Sequence, residues 1–128
     1  VRPGRLFLVV DAAMNDLVRP AMYDAYHEIW TVRQPSSAVP RRRYDVVGPI
    51  CETSDTFTKG RELPETNPGD LVAFMTAGAY GAVMSSIYNG RLLVPEVLVR
   101  GADFAVVRPR PTYEDLIGLD RLAPWLGS

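Results

Sequence analysis

With 128 residues, 23% of them charged and a net charge of −1, the chain has the length of one ordinary domain that can bury a core without disulfides or metals. The apolar fraction of 47% excludes a disordered or fibrous class. Acidic and basic residues are interspersed, which leaves no electrostatic footprint for nucleic acid or an anionic membrane.

Taken in chain order, Val1-Arg2-Pro3-Gly4-Arg5 precedes a short apolar run ending at Asp11 and does not read as a signal peptide. That run supplies a first strand, Leu6–Val10. Asp16–Tyr26 reads as a short helix with Pro20 near its first turn, and Glu28–Arg33 as a second strand. Arg41-Arg42-Arg43 is the one basic cluster, read as the solvated start of a strand over Tyr44–Gly48. The segment Asp55–Glu62 reads as a polar turn and Glu62–Gly69, with Pro64 and Pro68, as an exposed loop. Leu71–Gly90 carries no charged residue, but its glycines, serines and Asn89 dilute it below a usual spanning helix. It is expected to form buried strands, Asp70–Met75 and Ala82–Ser86, joined across Gly78 and Gly81. Glu96–Arg100 and Phe104–Arg108 would form a hairpin turning at Arg100-Gly101, and Thr112-Tyr113-Glu114-Asp115 resembles a capped helix start. The fold expected is therefore mostly β, a barrel or sandwich with short helices.

Chemistry concentrates in three places. Cys51-Glu52 follows a strand ending in Gly48-Pro49, and loops at strand ends commonly carry sites. The pair is either a buried structural cysteine beside a surface glutamate, or a thiol that donates a proton beside a carboxylate that pairs with an ammonium group. Arg19 and Tyr23 fall four apart on the expected helix, where a guanidinium and a phenol on one face would clamp a carboxylate. The alternative is a surface arginine with a tyrosine packed beneath it. In Thr76-Ala77-Gly78-Ala79-Tyr80-Gly81 the glycines would allow close backbone approach and the Tyr80 phenol could bind a phosphate oxygen. His27, the only histidine, reads as a packed or capping residue, and one cysteine with one histidine makes a zinc site improbable. A lone cysteine also excludes an intramolecular disulfide, which fits a reducing, cytoplasmic location.

Together and in order, Val10-Asp11-Ala12-Ala13-Met14-Asn15-Asp16-Leu17 with Arg19–Tyr23, Val47-Gly48-Pro49-Ile50-Cys51-Glu52, Gly69-Asp70, Gly78-Ala79-Tyr80-Gly81, and Ser86–Asn89 before Pro95–Val99 resemble the diaminopimelate decarboxylases. These belong to the fold-type III pyridoxal-phosphate-dependent decarboxylases, the alanine racemase/ornithine decarboxylase-like enzymes. The resemblance covers about Leu6 to Tyr113. It implies that residues 1–128 form the C-terminal β-domain of a longer enzyme whose (β/α)8 barrel is absent here, working as a homodimer with active sites shared between subunits. It further implies that Arg19 and Tyr23 grip the distal carboxylate of a small-molecule substrate, that Glu52 faces its distal ammonium, that Cys51 is the proton donor, and that Tyr80 touches the phosphate of pyridoxal 5'-phosphate and lies near the substrate. Cys51 and Glu52 would project into the partner subunit's site.

The implied reaction converts meso-2,6-diaminopimelate to L-lysine and carbon dioxide, a step of lysine biosynthesis. A substrate with a full zwitterion at its distal end needs both a cation and an anion, which Arg19 and Glu52 supply. Ornithine would need only the anion. An ornithine- or arginine-type decarboxylase, a related racemase using a tyrosine base, and a free-standing non-catalytic β-domain are the alternatives. Pyridoxal chemistry needs a Schiff-base lysine; Lys59, the only lysine, gains no such role from the resemblance, so the chain alone is expected to be inactive. One departure stands out: the family's Ser-Gly-Asp after Cys-Glu is here Thr53-Ser54-Asp55, and a position needing φ > 0 would strain Ser54.

Overall fold

The run Tyr44-Asp45-Val46-Val47, with two β-branched valines, builds the middle of the largest sheet. In this computed structural model, which describes residues 4–36 and 38–126, it lies in strand β3 (Arg41–Val47), between β1 (Leu6–Val9) and β4 (Thr56–Pro64). β1 runs parallel to β3, with Leu6 opposite Tyr44 and Val9 opposite Val47; β3 and β4 are antiparallel, with register shifts around Val46. Where the ladder is disturbed, the buried Asp45 carboxylate accepts the Gly60 N–H at 2.8 Å and pairs with Arg5. Its burial is thereby compensated, as a buried charge requires.

A second, antiparallel pair joins β2 (Ile29–Thr31) to β5 (Val72–Phe74). The core lies among these strands: Leu17, Ile29, Tyr44, Val46, Phe57 and Leu63 are buried, with Leu8, Val10, Val72 and Phe74 packed against them. The Phe57 and Phe74 rings approach to 4.5 Å in a tilted pair, a favoured aromatic geometry. Two short helices flank the strands, α1 (Arg19–Tyr23) and α2 (Gly78–Met84).

The chain divides into two compact units, Val1–Ser85 and Ser86–Ser128; everything above belongs to the first. In the second, β6 (Glu96–Arg100) and β7 (Asp103–Arg108) form an antiparallel hairpin. It turns at Gly101, whose φ of 61° suits a residue without Cβ, and α3 (Tyr113–Ile117) follows. No described residue of this unit is buried, and Leu98, Val99 and Phe104 of the hairpin are exposed.

The mostly-β expectation with short helices holds, although the sheets among the described residues are open. Three local expectations are corrected. Asp55–Glu62 and the loop start at Glu62 are not a turn: Thr56–Pro64 forms the longest strand, held by the burial of Phe57 and Leu63. Ala82–Ser86 is not a strand, because residues 78–84 coil into α2. Ser54 is not among the described residues with positive φ, so serine there carries no backbone strain. The helix expected within Asp16–Tyr26 is confined to Arg19–Tyr23. The remarks on Val1-Arg2-Pro3 fall outside the described residues, among which no helix is long and apolar enough to cross a membrane.

Candidate functional site

Arg19 and Tyr23 owe their placement to an anchored loop. Ala13, Asn15 and Leu17 are buried, and the Asp16 carboxylate accepts the Ala13 N–H at 2.9 Å, closing the turn that precedes α1. Pro20 opens the helix, its preset φ fitting the first turn. Asp24 ends it in the left-handed region at φ 53°, its N–H donating to Arg19 and Pro20 carbonyls. Arg19 and Tyr23 thus stand four residues apart on one helical turn, Tyr23 61% exposed.

Tyr80 reaches the same place from α2. Thr76, at φ 52°, turns the chain after β5, and Gly81 is buried with its face to the loop: a Cβ built there would meet Leu17 Cδ1 at 3.4 Å. That close approach sets Tyr80 beside α1, and the Arg19 guanidinium lies over its ring, 5.2 Å from the centroid, within cation–π range. Residues far apart in sequence therefore bring a half-buried guanidinium against an exposed phenol ring, with Tyr23 one turn along α1. Such donors suit anions; a carboxylate and a phosphate oxygen are both within their chemistry.

Cys51 and Glu52 occupy the loop joining β3 to β4. The Gly48 N–H donates to the Asp55 carbonyl at 3.0 Å, pinching the loop shut, while the Glu52 N–H donates to Ile50 O at 2.8 Å and the Asp55 N–H to Glu52 O at 3.1 Å. Cys51 is a free, exposed thiol, which excludes the buried structural cysteine. Ser54 Oγ donates to the Glu52 carboxylate. Glu52 also lines a shallow pocket with Arg5, Asp45 and Lys59.

The residue that joins the two regions was not singled out from the sequence. Asp55 is 2% exposed; its Oδ1 accepts the Met14 N–H and its Oδ2 the Ile50 N–H, both at 2.7 Å. The available signal was slight, an acidic residue two positions before Phe57, since a buried carboxylate must find donors. His27 is packed as expected, buried with Nδ1 3.0 Å from Met75 O. Among the described residues, no group of three or more His, Cys, Asp or Glu could hold a metal ion.

A family model described as "Pyridoxal-dependent decarboxylase, C-terminal sheet domain" matches residues 1–78, and the chain belongs to that family. It is 50% identical over 120 residues to a diaminopimelate decarboxylase of Zymomonas mobilis, covering 94% of this chain and 28% of the relative. It is 52% identical over 118 residues to that of Pseudomonas aeruginosa, covering 92% and 28%. Among solved structures, the diaminopimelate decarboxylase of M. jannaschii in co-complex with L-lysine superposes with a TM-score of 0.89 at 37% identity, covering 98% of this chain and 28% of that one. The chain therefore spans a little over a quarter of the length of these relatives.

Proposed function

We propose that this chain is the C-terminal β-domain of a diaminopimelate decarboxylase and supplies the substrate-recognising side of its active site. The (β/α)8 barrel with the cofactor-bearing lysine belongs to the rest of the enzyme, which works as a cytoplasmic homodimer with its sites shared between subunits. The observation that carries this reading is the Arg19 guanidinium over Tyr80 with Tyr23 one turn away, a cluster built for anions. The names of relatives at half identity supply the substrate class.

Arg19 and Tyr23 hold the distal carboxylate, and Glu52 holds the distal ammonium. The Tyr80 phenol donates to the phosphate of pyridoxal 5'-phosphate, and Arg19 across its ring keeps the phenol in place. Pyridoxal phosphate, when bound, supplies the electron sink for loss of carbon dioxide. Cys51 then delivers its thiol proton to the carbon that lost the carboxyl group, and the thiolate recovers a proton from water. An exposed, unpaired cysteine suits this task and a reducing compartment.

An ornithine-type substrate, ending in a lone ammonium, would leave Arg19 without a carboxylate. The test uses the full-length protein with pyridoxal phosphate. Stoichiometric L-lysine and carbon dioxide from meso-2,6-diaminopimelate support the reading; release of carbon dioxide from ornithine or arginine but not from diaminopimelate overturns it.

A further inference from the structure

We propose that Ser54 is a positioning residue whose hydroxyl holds the Glu52 carboxylate ready for the ammonium group it meets. This rests on the reading above, in which Glu52 faces the distal ammonium of the substrate in the partner subunit's site, and adds to it what orders that side chain beforehand. Ser54 Oγ donates to Glu52 Oε1 and also lies 3.5 Å from Met14 Sδ. A hydroxyl has one proton to give, and a charged carboxylate takes it in preference to a thioether, which is a weak acceptor. Met14 is thus a packing neighbour of the hydroxyl, and Glu52 is its hydrogen-bond partner.

The backbone fixes where this hydroxyl points. Ser54 is half-buried; its carbonyl accepts the Thr56 N–H at 2.7 Å, and the Thr56 hydroxyl donates to the Thr53 carbonyl at 3.1 Å. The next residue, Asp55, is buried and accepts the Met14 and Ile50 N–H groups, which anchors the chain immediately after Ser54. Glu52, by contrast, is exposed. Ordering a long, exposed side chain has an entropic cost that otherwise falls on substrate binding, and a bond made within the loop transfers it to folding. One hydrogen bond leaves most of the acceptor sites of a carboxylate open, so an ammonium group can still dock. Glycine, which the resemblance leads one to expect at this position, would offer no such donor.

The distal end of the substrate does not react, so a looser Glu52 weakens binding rather than the chemical step. In the full-length enzyme with pyridoxal phosphate, Ser54→Ala should raise KM for meso-2,6-diaminopimelate about fivefold and lower kcat by less than about twofold. Ser54→Thr, which keeps the hydroxyl, should bring KM back to within about twofold of the unaltered enzyme. Glu52→Gln and the double variant complete a cycle. If Ser54 acts through Glu52, adding Ser54→Ala to Glu52→Gln should change KM by less than about twofold, since residues acting as one unit are not additive. The inference is overturned if Ser54→Ala leaves KM unchanged while Glu52→Gln raises it, even where thermal stability falls. It is also overturned if Ser54→Ala lowers kcat alone, which would trace its effect to the neighbouring Cys51, or raises KM by the same factor in both backgrounds. A Glu52→Gln enzyme with unaltered KM instead overturns the functional reading itself.

Discussion

Gly48 and Asp55 share one space: the Asp55 carboxylate sits where a side chain on residue 48 would begin, and the two residues close the β3–β4 loop through the Gly48 N–H to Asp55 carbonyl bond. Two loops that carry chemistry are fastened at this point. Gly48→Ala should therefore destabilise the protein by about 1–3 kcal/mol, the cost of overpacking. In an Asp55→Ala background the same change should cost much less, because the clash is gone. Equilibrium denaturation of the four proteins checks this; equal costs in both backgrounds would disprove the shared space.

Ser54 occupies the position where relatives are expected to have glycine, yet its backbone is not left-handed. Ser54→Gly should lower stability by roughly 0.5–1 kcal/mol, through the greater freedom of glycine in the unfolded chain. It also removes the hydroxyl that donates to Glu52. A rise in the midpoint of thermal unfolding would contradict this.

Tyr80 combines a ring under Arg19 with a phenol. Tyr80→Phe should keep the guanidinium in place and weaken only cofactor retention, whereas Tyr80→Ala should also raise KM for substrate. Dialysis against buffer without pyridoxal phosphate, followed by absorbance, reads cofactor retention, and steady-state kinetics with saturating pyridoxal phosphate read KM; equal cofactor loss from the unaltered enzyme and Tyr80→Phe would contradict the phenol's role.

Asp115 caps α3 with Thr112: the Thr112 N–H and Oγ donate to Oδ2 at 2.8 and 3.0 Å, and the Asp115 N–H donates to Thr112 Oγ at 3.1 Å. The Thr112 backbone N–H, and after it the Thr112 hydroxyl, hold the Asp115 carboxyl below its usual range. A carboxyl lowered in the folded state contributes stability above its unfolded pKa and loses it as pH falls through the folded one. Thr112→Val, which removes the hydroxyl but keeps the backbone N–H, should move the Asp115 titration part of the way back upward in an NMR pH series, and an unmoved titration would refute the hydroxyl's share in it.

How much of this was legible differs from element to element. The strands read as Leu6–Val10 and Tyr44–Gly48 and the β6–β7 hairpin announce themselves through runs of apolar and β-branched residues bounded by Gly and Pro, although β3 begins earlier, at Arg41. β4 did not: between buried Phe57 and Leu63 it carries Lys59, Gly60 and Arg61, and Gly60 at φ 63° breaks the alternation that marks a strand. α2 was hidden because its two glycines read as strand ends, whereas Gly81 is there to approach Leu17. The site residues were legible as motifs, but nothing local shows that Arg19 would lie over Tyr80 or that Asp55 would bridge Met14 and Ile50. Those contacts depend on tertiary packing.

Substrate preference tests the account most directly. In the full-length enzyme with pyridoxal phosphate, kcat/KM for meso-2,6-diaminopimelate should exceed that for ornithine by at least about a thousandfold, because ornithine leaves the distal cation unpaired. Arg19→Gln should erase most of that margin by lowering the diaminopimelate value alone. Equal use of the two substrates by the unaltered enzyme, or an undiminished preference in Arg19→Gln, would contradict it.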